Sequence, residues 1–426
     1  MKVGICSLGC KVNIYESEYV EGLLRNHGYE IVSFEDEADI YIINTCSVTN
    51  ESDKKSRKMI SKAKRRNKDA VIVVMGCYSQ VKSGEIEADI VLGNKDKSRI
   101  VEYIEDYLKD NNSMVKIYNL RDGYDFESME INHFENHTRA FVKIQDGCNA
   151  FCSYCIIPYT RGRVRSKKYV DVIREVTNLV TKGYREVVLT GIHTGRYGMD
   201  LDDMNLEKLL RGLIVIPGLY RVRLSSIEIN EITDGIMDLI KNSKVIARHF
   251  HVPLQSGSDK ILRSMNRKYD LAYFKDKVKK IRELDKDISL TTDLIVGFPG
   301  ETDEDFEETL NTLREIKFTK IHTFPYSPRE GTPASKMDNQ VNGLVKKDRV
   351  RQVLQMSHDC EKEYYEGYIG QVMEGLVEVH KDGKVIVLTS NYISVIVDAK
   401  LKSNEVVKVK IDRVDEDNLV YGSLVI

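Results

Sequence analysis

The sequence predicts a multidomain α/β protein, with a parallel-sheet α/β domain over residues 1–135, a partial (βα)6 barrel over 139–365 and a small OB-like β-barrel over 367–426. Three observations carry that expectation. The chain has 426 residues, more than a single hydrophobic core usually serves. As far as residue 365, short apolar runs rich in β-branched residues alternate with polar helical stretches, and such alternation argues for parallel strands with crossover helices. From Gly370 onward the runs are joined by turns instead of helices, the pattern of a small closed or nearly closed sheet.

In the first domain the strands read as Val3–Ser7, Asp39–Thr45, Ala70–Met75 and Ile90–Leu92. Cys10, Cys46 and Cys77 each fall just past the carboxyl end of one of the first three. In an open α/β sheet those ends line one crevice, where ligands bind. A single cysteine reads as a small buried hydrophobe; three at equivalent strand ends read as ligands that converge. Cys6, inside the first strand, and Cys360, in an amphipathic helix, read as core. Residues 51–68 carry nine Lys or Arg between Lys54 and Lys68, with Ser52 or Asp53 as candidate helix cap. That density suits a phosphate backbone and equally a solvated helix face. Residues 109–138 are polar and aperiodic, as a linker would be.

The second domain offers strands at Phe141–Gln145, Glu186–Thr190, Arg221–Ser225, Phe250–Leu254, Ser289–Val296 and Lys320–Pro325, six repeats where a complete barrel has eight. Directly after the first comes Gly147-Cys148-Asn149-Ala150-Phe151-Cys152-Ser153-Tyr154-Cys155, a C-x3-C-x2-C run. Three thiols in eight residues cannot pair evenly as disulfides, and soft donors at that density suit an iron–sulfur cluster or zinc. Three ligands where a closed site takes four leave one coordination position open; a zinc knuckle with a distant fourth ligand is the alternative. Barrel chemistry sits at the carboxyl ends of strands. Gly191, Glu228, Gln255, Gly297 and Gly300 follow the second, third, fourth and fifth strands there, the glycines where a backbone could approach a ligand and Glu228 where a carboxylate could hold an amino or ribose group. Each has a plainer reading, Gly297-Phe298-Pro299-Gly300 as a turn and His193 or His251 as structural histidines. Arg161, Arg163, Arg165, Lys167 and Lys168 would steer an anionic substrate, or else pair with acids elsewhere in the barrel.

The last domain offers strands at Gly370–His380, Lys384–Leu388, Tyr392–Val397, Val406–Val414 and Leu419–Leu424, with a turn at Lys381–Lys384. It holds seven Lys or Arg against nine Asp or Glu, and the whole chain 64 against 66. Global charge thus announces no nucleic-acid partner, and any such contact rests on local patches. No run is long and apolar enough for a membrane span, and Met1–Cys6 lacks a signal-peptide core. A cytoplasmic protein is expected, in whose reducing surroundings eight cysteines read as metal or redox chemistry.

The C-x3-C-x2-C run with Tyr154 before its last cysteine resembles the cluster loop of radical S-adenosylmethionine (SAM) enzymes, and the repeats around it resemble the TIM-like partial barrel of that superfamily. The final domain resembles the TRAM module of RNA-modifying enzymes. In this order the three parts resemble the radical SAM methylthiotransferases over essentially the full length. Residues 9–18, from Gly9-Cys10-Lys11-Val12-Asn13 to Glu18, with Asn44-Thr45-Cys46-Ser47-Val48-Thr49, look most like the branch acting on N6-threonylcarbamoyladenosine at position 37 of tRNA, beside the anticodon.

The resemblance implies one [4Fe-4S] cluster on Cys148, Cys152 and Cys155 with SAM on its open iron, and an auxiliary [4Fe-4S] cluster on Cys10, Cys46 and Cys77 that holds the sulfur to be inserted. Carbon 2 of an adenine is unactivated, so a radical is required, and a cofactor must supply it. In the implied scheme one SAM methylates the sulfur and a second yields the radical. Partners would be tRNA, SAM, a reducing electron donor and a sulfur source, with no membrane, and no catalytic side chain is expected beyond the six cysteines. Alternatives are the same chemistry on isopentenyladenosine in tRNA or on an aspartate of a ribosomal protein, and, from another class, a non-catalytic iron–sulfur or zinc RNA-binding protein.

Overall fold

The computed structural model describes residues 1–120, 123–131, 137–379 and 385–425. The amino-terminal part is a sheet of six strands, β1 (Lys2–Ser7), β2 (Glu30–Val32), β3 (Ile40–Thr45), β4 (Val71–Gly76), β5 (Ile90–Leu92) and β6 (Met114–Lys116), in the order β2-β1-β3-β4-β5-β6 with every pair parallel. The crossovers are α1 (Lys11–Asn26), α2 (Asn50–Arg66), α3 (Cys77–Lys82) and α4 (Ile100–Asp110). β3 and β4 are buried at every residue, which is why Ile40–Ile43 and Val71–Met75 read as unbroken apolar runs. The three-residue strands β2 and β6 escape a sequence reading because, unlike the fully buried three-residue β5, they are partly exposed and carry no apolar run.

β6 also corrects the expectation of a linker over 109–138. This stretch supplies a sheet strand, and Leu120, Met129 and Ile131 are buried in the molecule. Its apolar residues are too widely spaced to reveal periodicity, and the surfaces they cover belong to distant segments. Cys6 and Cys360 are half-buried, not core as the sequence suggested, Cys6 because β1 turns that face only partly inward.

The half-barrel runs through β7 (Ala140–Lys143), β8 (Gln145–Asp146), α5 (Ile157–Arg161), β9 (Arg165–Ser166), α6 (Tyr169–Thr181), β10 (Glu186–Thr190), α7 (Leu206–Leu213), β11 (Arg221–Leu224), α8 (Asp234–Asn242), β12 (His249–His251), α9 (Asp259–Ser264), α10 (Leu271–Leu284), β13 (Ser289–Val296), α11 (Asp303–Ile316), β14 (Lys320–Pro325) and α12 (Gly343–Glu366). Its parallel sheets β11-β10-β7 and β12-β13-β14 are joined by bridges Val222–Ile246 and Ser226–His251, so six strands follow one another in chain order. The antiparallel pair β8–β9 closes the base of the loop holding the three clustered cysteines, so its two ends are fixed to each other.

The carboxyl-terminal strands β15 (Val372–Val379), β16 (Val385–Thr389), β17 (Ser394–Val397), β18 (Val406–Val414) and β19 (Val420–Leu424) form a closed barrel, β15-β16-β17-β19-β18. The turn expected at Lys381–Lys384 lies outside the described residues. A buried ionic joint docks this barrel on the other. Glu186 accepts from Arg221 (3.0 Å) and Arg223 (2.9 Å), which in turn donate to the carbonyls of Leu388, Thr389 and Ser390.

Candidate active site

The order β2-β1-β3-β4 places a topological switch point between β1 and β3, where open α/β sheets bind ligands. Cys10 follows β1 as the residue before α1, Cys46 follows β3 and Cys77 opens α3 after β4, so three adjacent strand ends deliver the three thiols to one rim. Asn13 draws two of these loops together by donating to the carbonyls of Leu8 (2.8 Å) and Thr45 (3.0 Å). Gly9, at φ +94°, permits the approach: a Cβ there would stand 2.7 Å from the Cys46 sulfur. Burial pushes the Cys46 thiol up to about 11, and the neighbouring Cys77 and Cys10 sulfurs act in the same direction.

The second set lies on the loop between β8 and β9. Gly147, at φ +72°, turns the chain where any side chain would overlap the Arg163 carbonyl, and Cys148 N donates to the Gly162 carbonyl at 3.0 Å. Ser153 ties the middle of the loop to Met265 and Ala334 through its backbone. Cys148 faces His193 Nδ1 at 3.3 Å, and His193 Nε2 meets Glu231 at 2.8 Å. Burial pulls the His193 ring down, but the bonds with Cys148 and Glu231 outweigh it and raise it to about 10. Arg267 reaches Cys152 Sγ at 3.5 Å and also holds Glu228. Burial pushes the Cys155 thiol up to about 12, with Cys152 and Cys148 adding to it.

A buried ion network connects the two sets. Glu16 on α1 accepts from Lys97, from Lys143 at 2.8 Å and from Arg161 at 2.9 Å, while Asp146, two residues before Cys148, is held by Lys143 (2.7 Å) and Arg161 (3.1 Å). Burial opposes ionisation of Glu16, yet the Arg161, Lys143 and Lys97 cations hold its carboxyl well below the usual range. With Arg165 at 3.6 Å from Asp146, four cations face two carboxylates. Some of the uncompensated positive charge meets a thiol directly, for Arg161 Nε donates to Cys77 Sγ at 3.4 Å and Asn94 Nδ2 to the same sulfur at 3.5 Å.

This decides the basic run after the cluster loop. Arg161, Arg165 and Lys167 are buried and paired, Lys167 with Glu175 at 2.6 Å, so of the five cations only Arg163 and Lys168 are exposed to steer an anion. Glu16, Glu231 and Arg267 went unnoticed in the sequence. Glu16 left one trace, a carboxylate on the otherwise inward-facing stripe of Val12, Asn13, Tyr15 and Val20. The cap of α2 is Thr49, whose hydroxyl accepts from Ser52 N, so neither Ser52 nor Asp53 is the cap; Asp53 is turned inward, where Arg329 takes it at 2.7 Å.

A hollow of about 220 Å³ opens between the sets, lined by Val48 and Thr49 beyond Cys46, by Tyr154 and Cys155 of the loop, and by Gln255 and Asp293 at barrel strand ends. A second, of about 170 Å³, lies on the far side of the loop against Cys152, His193, Glu228 and Arg267. Gln255 and Glu228 thus each border a hollow beside the clustered cysteines, and Gly191 packs on Gln145, which holds the Gly147 carbonyl at 2.7 Å. Gly297 and Gly300 shape the turn between β13 and α11 and line neither hollow.

Among the described residues, no three His, Cys, Asp or Glu side chains close around a single metal ion. The donor chemistry does fit an iron–sulfur cluster at each set. Each set brings three soft thiols to one place, Cys152 and Cys155 of the loop border hollows, and the cations at Cys77 and Cys152 would offset the charge of thiolate ligands. No helix among the described residues is long and apolar enough to cross a membrane.

Residues 142–313 match the Radical SAM superfamily and residues 2–93 the Uncharacterized protein family UPF0004. The chain is 43% identical over 404 residues to the threonylcarbamoyladenosine tRNA methylthiotransferase MtaB of Bacillus subtilis, covering 92% of this chain and 90% of the relative. To the MtaB of Aquifex aeolicus it is 40% identical, covering 93% and 96%. A tRNA-2-methylthio-N(6)-dimethylallyladenosine synthase of Alkaliphilus oremlandii is 36% identical, covering 88% and 82%. The radical SAM methyltransferase TsrM of Kitasatospora setae superposes with a TM-score of 0.56 at 15% identity, over 78% of this chain and 76% of that one, a likeness of fold alone. With cysteine sets on two strand-end rims and this identity over nearly its whole length, the chain belongs to the radical SAM methylthiotransferase family.

Proposed function

We propose that this protein converts N6-threonylcarbamoyladenosine at position 37 of tRNA to its 2-methylthio derivative. The observation that carries the reading is the hollow lined on one side by Cys155 and on the other by Val48 and Thr49, two and three residues past Cys46, a space where a base would lie beside the loop and close to the segment that carries Cys46. The choice of base rests on the relatives, 43% identical for the enzyme named for threonylcarbamoyladenosine against 36% for the one named for dimethylallyladenosine.

In this reading Cys148, Cys152 and Cys155 hold one [4Fe-4S] cluster, and Cys10, Cys46 and Cys77 hold the second. Together with SAM they supply radical chemistry and a sulfur source that acid–base groups lack. The protein's own contribution is positional. Gln255 and Glu228 border the spaces in which SAM and the base must lie, Gly191 supports the root of the loop, and the turn at Gly297 and Gly300 carries Phe298 into the apolar cluster on which Tyr154 packs. His193 and Arg267 orient sulfurs of the loop, and Glu16 with Arg161 keeps both rims in fixed register. We assign residues 1–135, 139–365 and 367–426 as the three domains, the last as a TRAM-like module. A one-electron reductant and a donor of replacement sulfur complete the partners, in a cytoplasmic setting.

Mass spectrometry of tRNA nucleosides from a deletion strain tests the substrate. The 2-methylthio form of threonylcarbamoyladenosine should disappear and its unthiolated precursor accumulate. Persistence of that form in a strain without a second such enzyme would refute the assignment.

A further inference from the structure

Helix α2 begins where the hollow between the cysteine sets opens. Its cap, Thr49, lines that hollow, and its first residue is fastened to the far wall, Asn50 N donating to Ser327 Oγ at 3.1 Å and Arg329 to Asn50 Oδ1 at 2.8 Å. The helix buries Asp53, Ser56, Ile60 and Ala63. At 3.6 residues per turn, Lys54, Lys58 and Arg65 then form a stripe on the opposite face, about 17 Å long, and all three are exposed.

Most cations on the flanks are already engaged. Lys62 and Arg66 are taken by Glu35, Lys64 stands 3.5 Å from Glu87, and Arg57 donates to the Tyr78 hydroxyl. Lys55, Lys58, Arg65 and Lys68 have no hydrogen-bond or ion-pair partner among the described residues, and Lys54 meets only the exposed Glu51 at 3.3 Å. A helix built merely to face water would alternate its charges. This one sets like charges four apart at Lys54–Lys58, Lys58–Lys62 and Lys62–Arg66, an arrangement that destabilises a helix unless an anion lies along it.

We infer that the exposed face of α2 is a docking track for the phosphate backbone of the RNA substrate, leading from the active-site mouth outward. The inference rests on the tRNA reading above. A rigid cationic stripe contacts phosphates without regard to base identity, so it fixes the register of the RNA while the hollow selects the base. The carboxyl-terminal barrel, with nine acidic against seven basic residues, has no such excess.

The test is binding of full-length tRNA bearing N6-threonylcarbamoyladenosine to the cluster-loaded protein across a salt series, wild type against Lys58→Glu/Arg65→Glu. Loss of two phosphate contacts lowers the slope of log affinity against log salt by roughly 1.4–1.8 and weakens binding on the order of tenfold or more at physiological salt. Both positions are exposed, so 5′-deoxyadenosine formation without tRNA should be unchanged, which separates a binding defect from misfolding. Wild-type binding with the same slope and affinity in the double variant overturns the docking track alone, as does an equal loss of affinity for anionic phosphatidylserine vesicles with none for tRNA. A wild-type protein that binds no tRNA at any salt overturns the substrate reading and the track with it.

Discussion

Glu16→Gln is the sharpest probe of how the two cysteine sets are held. The carboxylate is fully buried and meets three cations. Removing one partner of a buried ion pair costs about 3–5 kcal/mol, because the remaining charge stays desolvated and unpaired. Here Lys143 and Arg161 keep Asp146, whereas Lys97 keeps only the Asn94 amide oxygen at 3.1 Å. One stranded cation puts the expected loss at the low end, about 3 kcal/mol, or roughly a hundredfold in the unfolding equilibrium. Adding Lys97→Met removes that stranded charge and should return about 1–2 kcal/mol.

The sign of the pH dependence follows from the depressed Glu16 carboxyl. Its ordinary value is 4.5 and its folded value lies well below, so the contribution is complete above about pH 4.5 and is lost as pH falls towards the folded value. The gap between wild type and Glu16→Gln should therefore narrow in acid. The chain has no tryptophan, so urea unfolding of the cluster-free protein is followed by far-ultraviolet circular dichroism. A single variant that loses under about 1 kcal/mol, or a double variant less stable than the single, would refute the network as the clamp between the two rims.

Cys152→Ala should abolish 5′-deoxyadenosine formation while iron still loads at the amino-terminal set, and Cys46→Ala should do the reverse, forming deoxyadenosine without thiolated tRNA; unchanged SAM cleavage in the first contradicts the ligand assignment. Thr302→Ala removes one half of a capping box in which Thr302 Oγ1 accepts from Asp305 N and Asp305 accepts from Thr302 N, so thermal unfolding should report a loss of about 1 kcal/mol with SAM cleavage intact. Glu186→Gln leaves Arg221 and Arg223 buried without a carboxylate, at a cost of about 3–5 kcal/mol. Limited proteolysis should then cut between α12 and β15 before elsewhere, and cleavage at the wild-type rate would show that the arginines dock the barrel without it.

Much of the fold was legible. The parallel strands β3 and β4 announced themselves because a strand covered on both faces is apolar along most of its length. The edge strands β2 and β6 did not, since three half-exposed residues carry no pattern. Within the site, the C-x3-C-x2-C loop was plain from spacing alone, and Cys10, Cys46 and Cys77 from their common place after strands. Arg161 was visible only as one of five cations, and nothing local told that it would turn inward to Glu16 and Cys77 while Arg163 stayed in water.

The sequence by itself determined the chemistry. Side-chain type, number and place after a strand are local properties, and they put two sets of three thiols at the strand ends of two α/β units, where ligands bind. Only the tertiary structure decided how those sets face one another and which charges lie between them. Residues 16, 97, 146 and 161 come from four separate segments, and a buried charge acquires its partners only when the chain folds around it. The same holds for α2, whose cations read alike in the sequence and were sorted into paired and free by Glu35 and Glu87, which other loops bring alongside.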